Sequence, residues 1–186
     1  MNRLLAPLAV VAVLLGLLAA PARAVLPVED YAPYQPQTRC SPAAKPGTVE
    51  LARWIVRRYG GGFGGISRAC RRGSTSEHHE GRAFDWTVSA TKAADRRRVR
   101  RFLEDLFADD AAGNPDARAR RMGVMYVIWD DLIYSAWEEF RAERYRSSGC
   151  RRLRACSATL RHRDHVHISI TRRAARGRTS WYDGRR

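Results

Sequence analysis

Beyond its first 24 residues, the 186-residue sequence lacks any apolar run long enough to cross a membrane. A bilayer-spanning helix needs about 20 consecutive apolar residues. We therefore expect no membrane span in the rest of the chain. The sequence also lacks an internal repeat, and its length suits one compact domain with a hydrophobic core of its own.

Residues 1–24 are the exception, because they have the features of a signal peptide. A positive charge at Arg3 precedes an apolar stretch, and Ala22-Arg23-Ala24 has the small residues of a cleavage site. A retained membrane anchor is the alternative, but Pro7 interrupts the apolar stretch and Pro21 ends it. We therefore expect this segment to be removed and the product to be exported.

No two cysteines form a Cys-x-x-Cys pair, which counts against a cysteine-rich zinc site. The four cysteines, Cys40, Cys70, Cys150 and Cys156, are an even number in a chain that we expect to be exported. Oxidising compartments favour disulfides over free thiols. Of the three possible pairings we favour Cys40–Cys70 with Cys150–Cys156. Each bridge would then constrain the chain beside one of the two segments that contain the histidines.

Acidic residues are scarce relative to basic ones. The chain has 19 Asp and Glu against 34 Lys and Arg, a formal net charge of +15 at pH 7. Such a chain is attracted to polyanions, which outside a bacterial cell are anionic cell-wall polymers, lipid headgroups or stray nucleic acid. Lysine occurs only at Lys45 and Lys92. An arginine bias of the genome would give the same charge, so charge alone does not identify a partner.

The chain after the signal peptide divides into three parts. Residues 25–46 are rich in proline and show little periodicity, which predicts an extended arm. Residues 47–172 carry the periodic segments and form the predicted domain. Residues 173–186 are rich in arginine, and we expect a frayed basic tail.

Hydrophobic spacing in the domain predicts three helices and five strands. The helices are expected over residues 49–59, from a Thr91 cap to residue 108, and from Asn114-Pro115 to residue 121. The strands are expected over residues 64–70, 82–88, 124–129, 132–134 and 165–170. In the second strand Asp85 alternates with aromatic residues, so its side chain should project from the face opposite to theirs.

Histidines and carboxylates are concentrated in two segments. His78 and Asp85 lie seven residues apart around a glycine, a spacing typical of two zinc ligands. His165 and His167 alternate with apolar residues on the last predicted strand, so their side chains share a face. On its own, His165-x-His167 would be read as half-exposed strand residues. Combined with His78 and Asp85, it predicts a catalytic metal site, since two His and one Asp leave a fourth position open.

The first segment resembles a motif of known peptidases. Ser76, His78, Gly81, Ala83 and Asp85 match, position for position, the Ser-x-His-x-x-Gly-x-Ala-x-Asp motif of the D-Ala-D-Ala carboxypeptidase and lysostaphin-type zinc peptidases. The closing His-x-His motif of these peptidases is similar to the one in the last strand. The likeness covers most of the chain after residue 24 and is nearest to an exported actinobacterial group related to these peptidases.

This resemblance implies a fold and a set of site residues. The fold is α+β, a small and mainly antiparallel sheet with helices packed on one side, as in the D-Ala-D-Ala peptidases. His78, Asp85 and His167 would hold one Zn²⁺ per chain. Ser76 would orient a ligand. Arg68 would contact a substrate carbonyl or carboxylate.

Two neighbouring residues compete for the role of general base. Asp164 stands where these carboxypeptidases carry Glu in a Glu-x-x-His motif, and its side chain is one carbon shorter. His165 stands where the lysostaphin-like members place a catalytic histidine. We favour His165, because it shares the strand face of His167 and Asp164 does not. Between the first two ligands, His79 and Glu80 are expected to be exposed loop residues.

Together these expectations form a functional hypothesis. The chain would be a secreted, cell-wall-associated zinc metallopeptidase, a monomer that hydrolyses peptide bonds of bacterial peptidoglycan and binds no specific nucleic acid. Anionic wall polymers are possible further partners because of the basic surface. A non-catalytic, zinc-containing wall-binding module on the same scaffold is the alternative, since fold does not guarantee chemistry. The choice between carboxypeptidase and endopeptidase action stays open.

Overall fold

The computed structural model describes residues 27–183 and 185. The predicted signal peptide lies outside these residues. Within them the chain forms four α-helices and six β-strands. The helices are α1 (Pro46–Tyr59), α2 (Ala93–Leu106), α3 (Ala117–Met122) and α4 (Arg172–Ala175), and the strands are β1 (Gly62–Gly65), β2 (Ala83–Thr87), β3 (Val124–Trp129), β4 (Leu132–Ser135), β5 (Ala142–Arg144) and β6 (His165–Ile170). None of these helices has both the length and the apolar character of a membrane span.

The strands form one sheet in the order β1-β2-β6-β3-β4-β5, and every neighbouring pair is antiparallel. The predicted α+β class with an antiparallel sheet is therefore confirmed. The β2–β6 pair joins residues that are far apart in the sequence and sets Asp85 directly opposite His167. Residues opposite each other in an antiparallel pair lie about 4.5–5.5 Å apart and on the same face.

Helix α1 forms where the spacing of apolar residues predicts a helix. Ile55 and Tyr59, one turn apart, are both buried, and Gly60 ends the helix with a positive φ of 78°. The helix begins three residues earlier than predicted, at Pro46, because the first helical turn does not use the N–H that proline lacks. The Tyr59 ring lies 6.2 Å from the ring of Trp86 on β2, so α1 packs against the aromatic face of that strand.

Helix α2 buries the apolar face that its sequence predicts, but the predicted cap is wrong. Thr91 lies outside the helix, and Lys92 occupies the N-cap position without a side-chain cap hydrogen bond. Instead, the Asp95 carboxylate in the first turn accepts a 3.0 Å hydrogen bond from the Ser89 backbone N–H. A carboxylate near the first turn is favoured there by the positive end of the helix dipole.

Helix α3 begins at Ala117, later than the predicted start at Asn114-Pro115. The Asn114 side chain donates hydrogen bonds to both Asp110 carboxylate oxygens, at 3.0 and 3.1 Å, and so closes the preceding loop instead of capping the helix. An Asn side chain bonds to a nearby turn as readily as to a helix end, which explains the error.

Two strands near the sheet edges also differ from expectation. Strand β1 covers Gly62–Gly65 instead of residues 64–70, because its pairing with β2 begins at Gly62 and ends where Gly65 pairs with Asp85. Strand β5 has no counterpart among the predicted strands. All three of its residues are exposed and two are charged, so it shows no alternation of apolar and polar residues.

The C-terminal residues are packed against the domain, and the predicted frayed tail is wrong. After α4 the chain forms a short 3₁₀ helix, Ser180–Tyr182. Trp181 and Tyr182 are buried in the same core as the sheet, and the Tyr182 hydroxyl donates a 3.1 Å hydrogen bond to the Gly47 carbonyl in α1. Burial of these two large aromatic side chains stabilises the packed position strongly. The C-terminal residues therefore pack against the domain although many of their neighbours are arginines.

Residues 27–45 contain neither helix nor strand and run along the domain as an arm. The arm is held at several points. The Tyr31 hydroxyl donates a 2.6 Å hydrogen bond to Asp116, and the backbone carbonyl of Gln35 accepts one from buried Arg82. Gln37 accepts a 2.7 Å hydrogen bond from the Ser76 backbone N–H, so the arm also lies over the segment that contains His78.

Both cysteine pairs are bridged, in the pairing that the sequence favours. Cys40 is joined to Cys70 across 30 residues and Cys150 to Cys156 across six. Disulfides are typical of proteins that mature in an oxidising compartment, as expected for an exported chain. The first bridge ties the arm to the chain just before His78, and the second closes a small loop before the segment that contains His165.

Candidate metal centre

Three side chains from two parts of the chain meet at one face of the sheet. Asp85 on β2 and His167 on β6 stand opposite each other, and His78 comes from the short 3₁₀ helix Glu77–Glu80 that precedes β2. His78 Nε2 lies 3.1 Å from Asp85 Oδ1 and 3.2 Å from His167 Nδ1, and His167 Nδ1 lies 3.0 Å from Asp85 Oδ1. The three atoms form a compact group that could hold a metal ion.

The 3₁₀ helix that carries His78 has a defined start and end. Ser76, its N-cap, accepts a 3.3 Å hydrogen bond from the His78 backbone N–H through its side-chain oxygen. Gly81 ends it with a φ of 63°, and a Cβ there would meet the Ala43 carbonyl oxygen at 2.1 Å. Only glycine combines this conformation with this close approach. Ser76 therefore orients the backbone of His78, while its hydroxyl does not contact the imidazole.

Both histidine rings are fixed by a second hydrogen bond on the side away from the shared group. His78 Nδ1 lies 2.8 Å from the Ile66 carbonyl oxygen, and His167 Nε2 lies 2.9 Å from Ser169 Oγ. Because a carbonyl oxygen only accepts, His78 carries its proton on Nδ1. Its Nε2 lone pair is left facing the site. Ligand histidines in metal sites are oriented by partners of this kind.

The protonation states also suit a metal site. Burial raises the pKa of the Asp85 carboxyl, but its polar contacts with the rings of His167 and His78 outweigh that effect and hold this pKa well below its usual value. Burial lowers the pKa of His167, which favours its neutral form. A carboxylate anion and a neutral imidazole are the forms that bind metals.

His165 stands at the edge of this group with a carboxylate behind it. Its Nδ1 lies 2.7 Å from Asp164 Oδ1, and its Nε2 lies 3.7 Å from Asp85 Oδ1. Asp164 is held in turn by the Thr159 hydroxyl, which donates to Asp164 Oδ2 at 2.6 Å. The structure thus brings both candidate bases together as a pair in which Asp164 orients His165.

Arg68 lies at the rim of the group. Its Nη2 is 3.6 Å from Asp85 Oδ2, and its side chain is 56% exposed. It belongs to the irregular segment after β1, not to a strand as predicted. Its guanidinium is therefore both close to the candidate ligands and accessible from solvent.

Two side chains at the site were not singled out from the sequence. The His162 ring lies 4.8 Å from the His165 ring and 5.7 Å from the His167 ring, and Tyr126 stacks on His167 at 5.5 Å. Burial lowers the pKa of His162 to about 3, so its ring is neutral near pH 7. The sequence pattern His162-x-x-His165-x-His167 could have indicated that His162 lies at the site.

The expectation that His79 and Glu80 are exposed loop residues is wrong, because both are buried. His79 Nδ1 lies 2.9 Å from the side-chain oxygen of Gln37 in the arm. Glu80 accepts a 2.6 Å hydrogen bond from Arg82. The arm covers this side of the 3₁₀ helix. The contacting residues are 42 positions apart in the sequence, so local sequence does not predict the contact.

Comparison with known proteins identifies a family. A family model described as VldE, C-terminal domain, matches residues 40–152. This match contains His78 and Asp85 and ends before Asp164, His165 and His167. No curated protein and no solved structure matches the chain.

Proposed function

The chain belongs to the VldE, C-terminal domain family, and from the geometry of its own site we propose that it is an exported zinc-dependent peptidase that hydrolyses peptide bonds of bacterial cell-wall peptidoglycan. The observation that carries the proposal is the convergence of His78, Asp85 and His167 beside the His165–Asp164 pair. The first three would hold the metal, and the pair would handle the proton.

The donor set and its spacing support zinc. Ligand atoms about 2.0–2.1 Å from a tetrahedral zinc ion are about 3.3 Å from one another. The three donor atoms here are 3.0–3.2 Å apart, so they fit three corners of such a tetrahedron. Two imidazoles and one carboxylate, with the fourth corner left for water, form the donor set of a catalytic zinc site and not of a structural one.

The chemistry divides between the metal and the chain. Zinc held by His78, Asp85 and His167 would lower the pKa of a water molecule and polarise a substrate carbonyl. His165 would accept the proton at Nε2, the nitrogen nearer to Asp85, and return it to the leaving amine. Asp164 would hold the ring and stabilise the imidazolium through its contact with Nδ1.

The surrounding side chains support binding of a peptide. Arg68, exposed at the rim, is placed to contact a substrate carbonyl or terminal carboxylate. His162 stays neutral and so adds no positive charge beside the ligands. The excess of arginine over the chain would favour adsorption to an anionic cell wall, where the substrate lies.

The decisive experiment combines metal content with digestion of purified peptidoglycan. We expect the exported protein to contain about one zinc per chain and to release peptide fragments, which mass spectrometry would identify. Loss of a terminal residue would indicate a carboxypeptidase, and cleaved cross-links would indicate an endopeptidase.

Two variants separate the metal from the base. His167→Ala should lose zinc and activity together. His165→Ala should keep zinc but lose about 10²–10⁴ in rate, the usual contribution of a general base. Normal zinc in His167→Ala would overturn the ligand assignment. Absence of hydrolysis by zinc-loaded wild type, across walls of several cross-link types, would favour a zinc-containing wall-binding module instead.

A further inference from the structure

A polar cavity lies outside the candidate metal centre, between the N-terminus of α1, the arm and α4. Its volume is about 310 Å³. It is lined by five basic side chains, Arg39, Lys45, Arg82, Arg172 and Arg176, and by one carboxylate, Glu80.

The single carboxylate is already occupied. Glu80 Oε2 accepts a 2.6 Å hydrogen bond from Arg82 Nε, and Arg172 Nη2 lies 3.3 Å from the same oxygen. Glu80 Oε1 accepts a 3.0 Å hydrogen bond from the Thr38 backbone N–H. Glu80 therefore offsets the charge of buried Arg82 and leaves little to neutralise the others.

The remaining basic side chains lack acidic partners. Within residues 27–183 and 185, the guanidinium groups of Arg39 and Arg176 make no ion pair or side-chain hydrogen bond. Lys45 Nζ donates only to uncharged oxygens of Ser41, at 2.9 and 3.2 Å. Uncompensated cations that line one concave surface create a positive potential that attracts anions.

The start of α1 adds to this potential. The helix has 14 residues, and its N-cap is Lys45, whose side chain makes no cap hydrogen bond. The N-terminus of a helix carries a partial positive charge and favours a bound anion. The basic side chains that line the cavity and the helix end beside it therefore point the same way.

We propose that this cavity binds the phosphate group of a phosphorylated ligand. Guanidinium groups pair with carboxylate and phosphate alike, but several uncompensated cations favour the group with more charge and more acceptor oxygens. The volume admits a phosphate with a small attached group. A soluble phosphate monoester and a phosphodiester polymer of the cell wall present the same chemistry. The proposal does not depend on the peptidase activity.

Calorimetric titration of the exported protein at constant ionic strength tests this site. The probes are inorganic phosphate, glycerol 3-phosphate, a poly(glycerol phosphate) chain and acetate. We expect at least one of the three phosphate probes to bind saturably, with one phosphate group per protein chain. Acetate should bind more weakly. The monoester and the polymer distinguish the two sources.

Two double variants with the same loss of charge make the test specific. Arg39→Gln/Arg176→Gln removes the two unpaired guanidinium groups from the cavity and should weaken phosphate binding about tenfold or more. Arg97→Gln/Arg100→Gln removes two exposed arginines of α2 and should leave binding unchanged. Equal loss in both variants would show adsorption by overall charge and overturn the proposal, as would absence of saturable binding.

A third variant separates this cavity from the metal centre, since phosphate also binds zinc. His167→Ala, which breaks the proposed metal site, should bind phosphate as tightly as wild type. Loss of binding in this variant would assign the phosphate to the metal centre and overturn the proposal. Retained binding would support it even if the peptidase proposal failed.

Discussion

Two short segments meet at the candidate metal centre, and they differ in how they are held. In residues 76–85 the side chains between Ser76 and Asp85 are nearly all buried, and His78 is only 2% exposed. In residues 159–165, just before the buried part of β6, no side chain is fully buried, and the Asp164 side chain is 46% exposed. The first segment is supported by the arm and the core, whereas the second is held mainly by hydrogen bonds and ion pairs to the turn at Asp130 and Asp131.

The contrast separates two tasks. A metal ligand must be held in a fixed position, because small displacements weaken coordination. A general base must exchange protons with water and substrate, so access to solvent suits it. Changes in residues 76–85 should therefore alter folding and metal binding together. Changes in residues 159–165 should alter activity while the fold remains intact.

The largest effect on folding should come from Arg82, which is 1% exposed and pairs with Glu80. Arg82→Met should lower the free energy of unfolding by about 3–5 kcal/mol, because the buried Glu80 carboxylate loses its closest charged partner and keeps only the longer contact to Arg172. Denaturant unfolding measures this change. Adding Glu80→Gln should recover part of the loss, since the buried charge that has lost its closest partner is then removed.

Arg163 provides the matched control in the other segment. It pairs with Asp130 at 2.9 Å, but both side chains are more than a third exposed. Arg163→Met should therefore change stability by only about 0–1 kcal/mol. Similar losses for the two arginine variants would contradict the contrast between the segments.

A smaller difference is expected between the two disulfides, one beside each segment. In the loop-entropy model, replacing Cys40 and Cys70 with Ser should cost about 3–4 kcal/mol, and replacing Cys150 and Cys156 about 2 kcal/mol. The reason is the length of chain that each bridge closes, 30 residues against six. Urea unfolding of both double variants, with mass mapping of the remaining bridge, tests the ranking. A reversed order would show that native contacts, not loop length, decide it.

The smallest effect concerns Asp164 and depends on the proposed activity. Asp164→Asn should keep zinc and lower the rate of hydrolysis by about 10–100-fold, the usual effect of removing a partner that orients a residue at a metal site. An amide still accepts a hydrogen bond from His165 but does not stabilise its imidazolium as well. Steady-state kinetics of Asp164→Asn and His165→Ala, measured in parallel, compares the loss of rate in the two variants. A larger loss in Asp164→Asn would make Asp164 the base.

Local pattern was enough to predict the parts of the site that lie on regular strands. The alternation around Asp85 predicted which face its side chain occupies, and β6 begins and ends where the apolar spacing places it, at His165–Ile170. Helix boundaries were less predictable. Thr91 and Asn114 are both good cap residues, but each is engaged in a loop, and isolated sequence does not distinguish these uses.

Contacts over long distances in the chain were not predictable in the same way. His79 and Glu80 look like polar loop residues, yet the arm covers them. Trp181 and Tyr182 lie among arginines, yet they complete the core. His162 reaches the site through a turn with a positive φ of 50°, a conformation that a histidine rarely adopts. In each case a partner far away in the sequence decides the position.

The sequence by itself determined the donor types, the strand faces on which Asp85, His165 and His167 lie, and the excess of positive charge. These depend on residue chemistry and on a two-residue repeat, both of which are local. Tertiary structure decided that His78 Nε2 and His167 Nδ1 face Asp85, that Asp164 orients His165, and that basic side chains from the arm and α4 surround one cavity. These depend on strand register and on packing between distant segments, and such pairings are fixed only when the whole chain has folded.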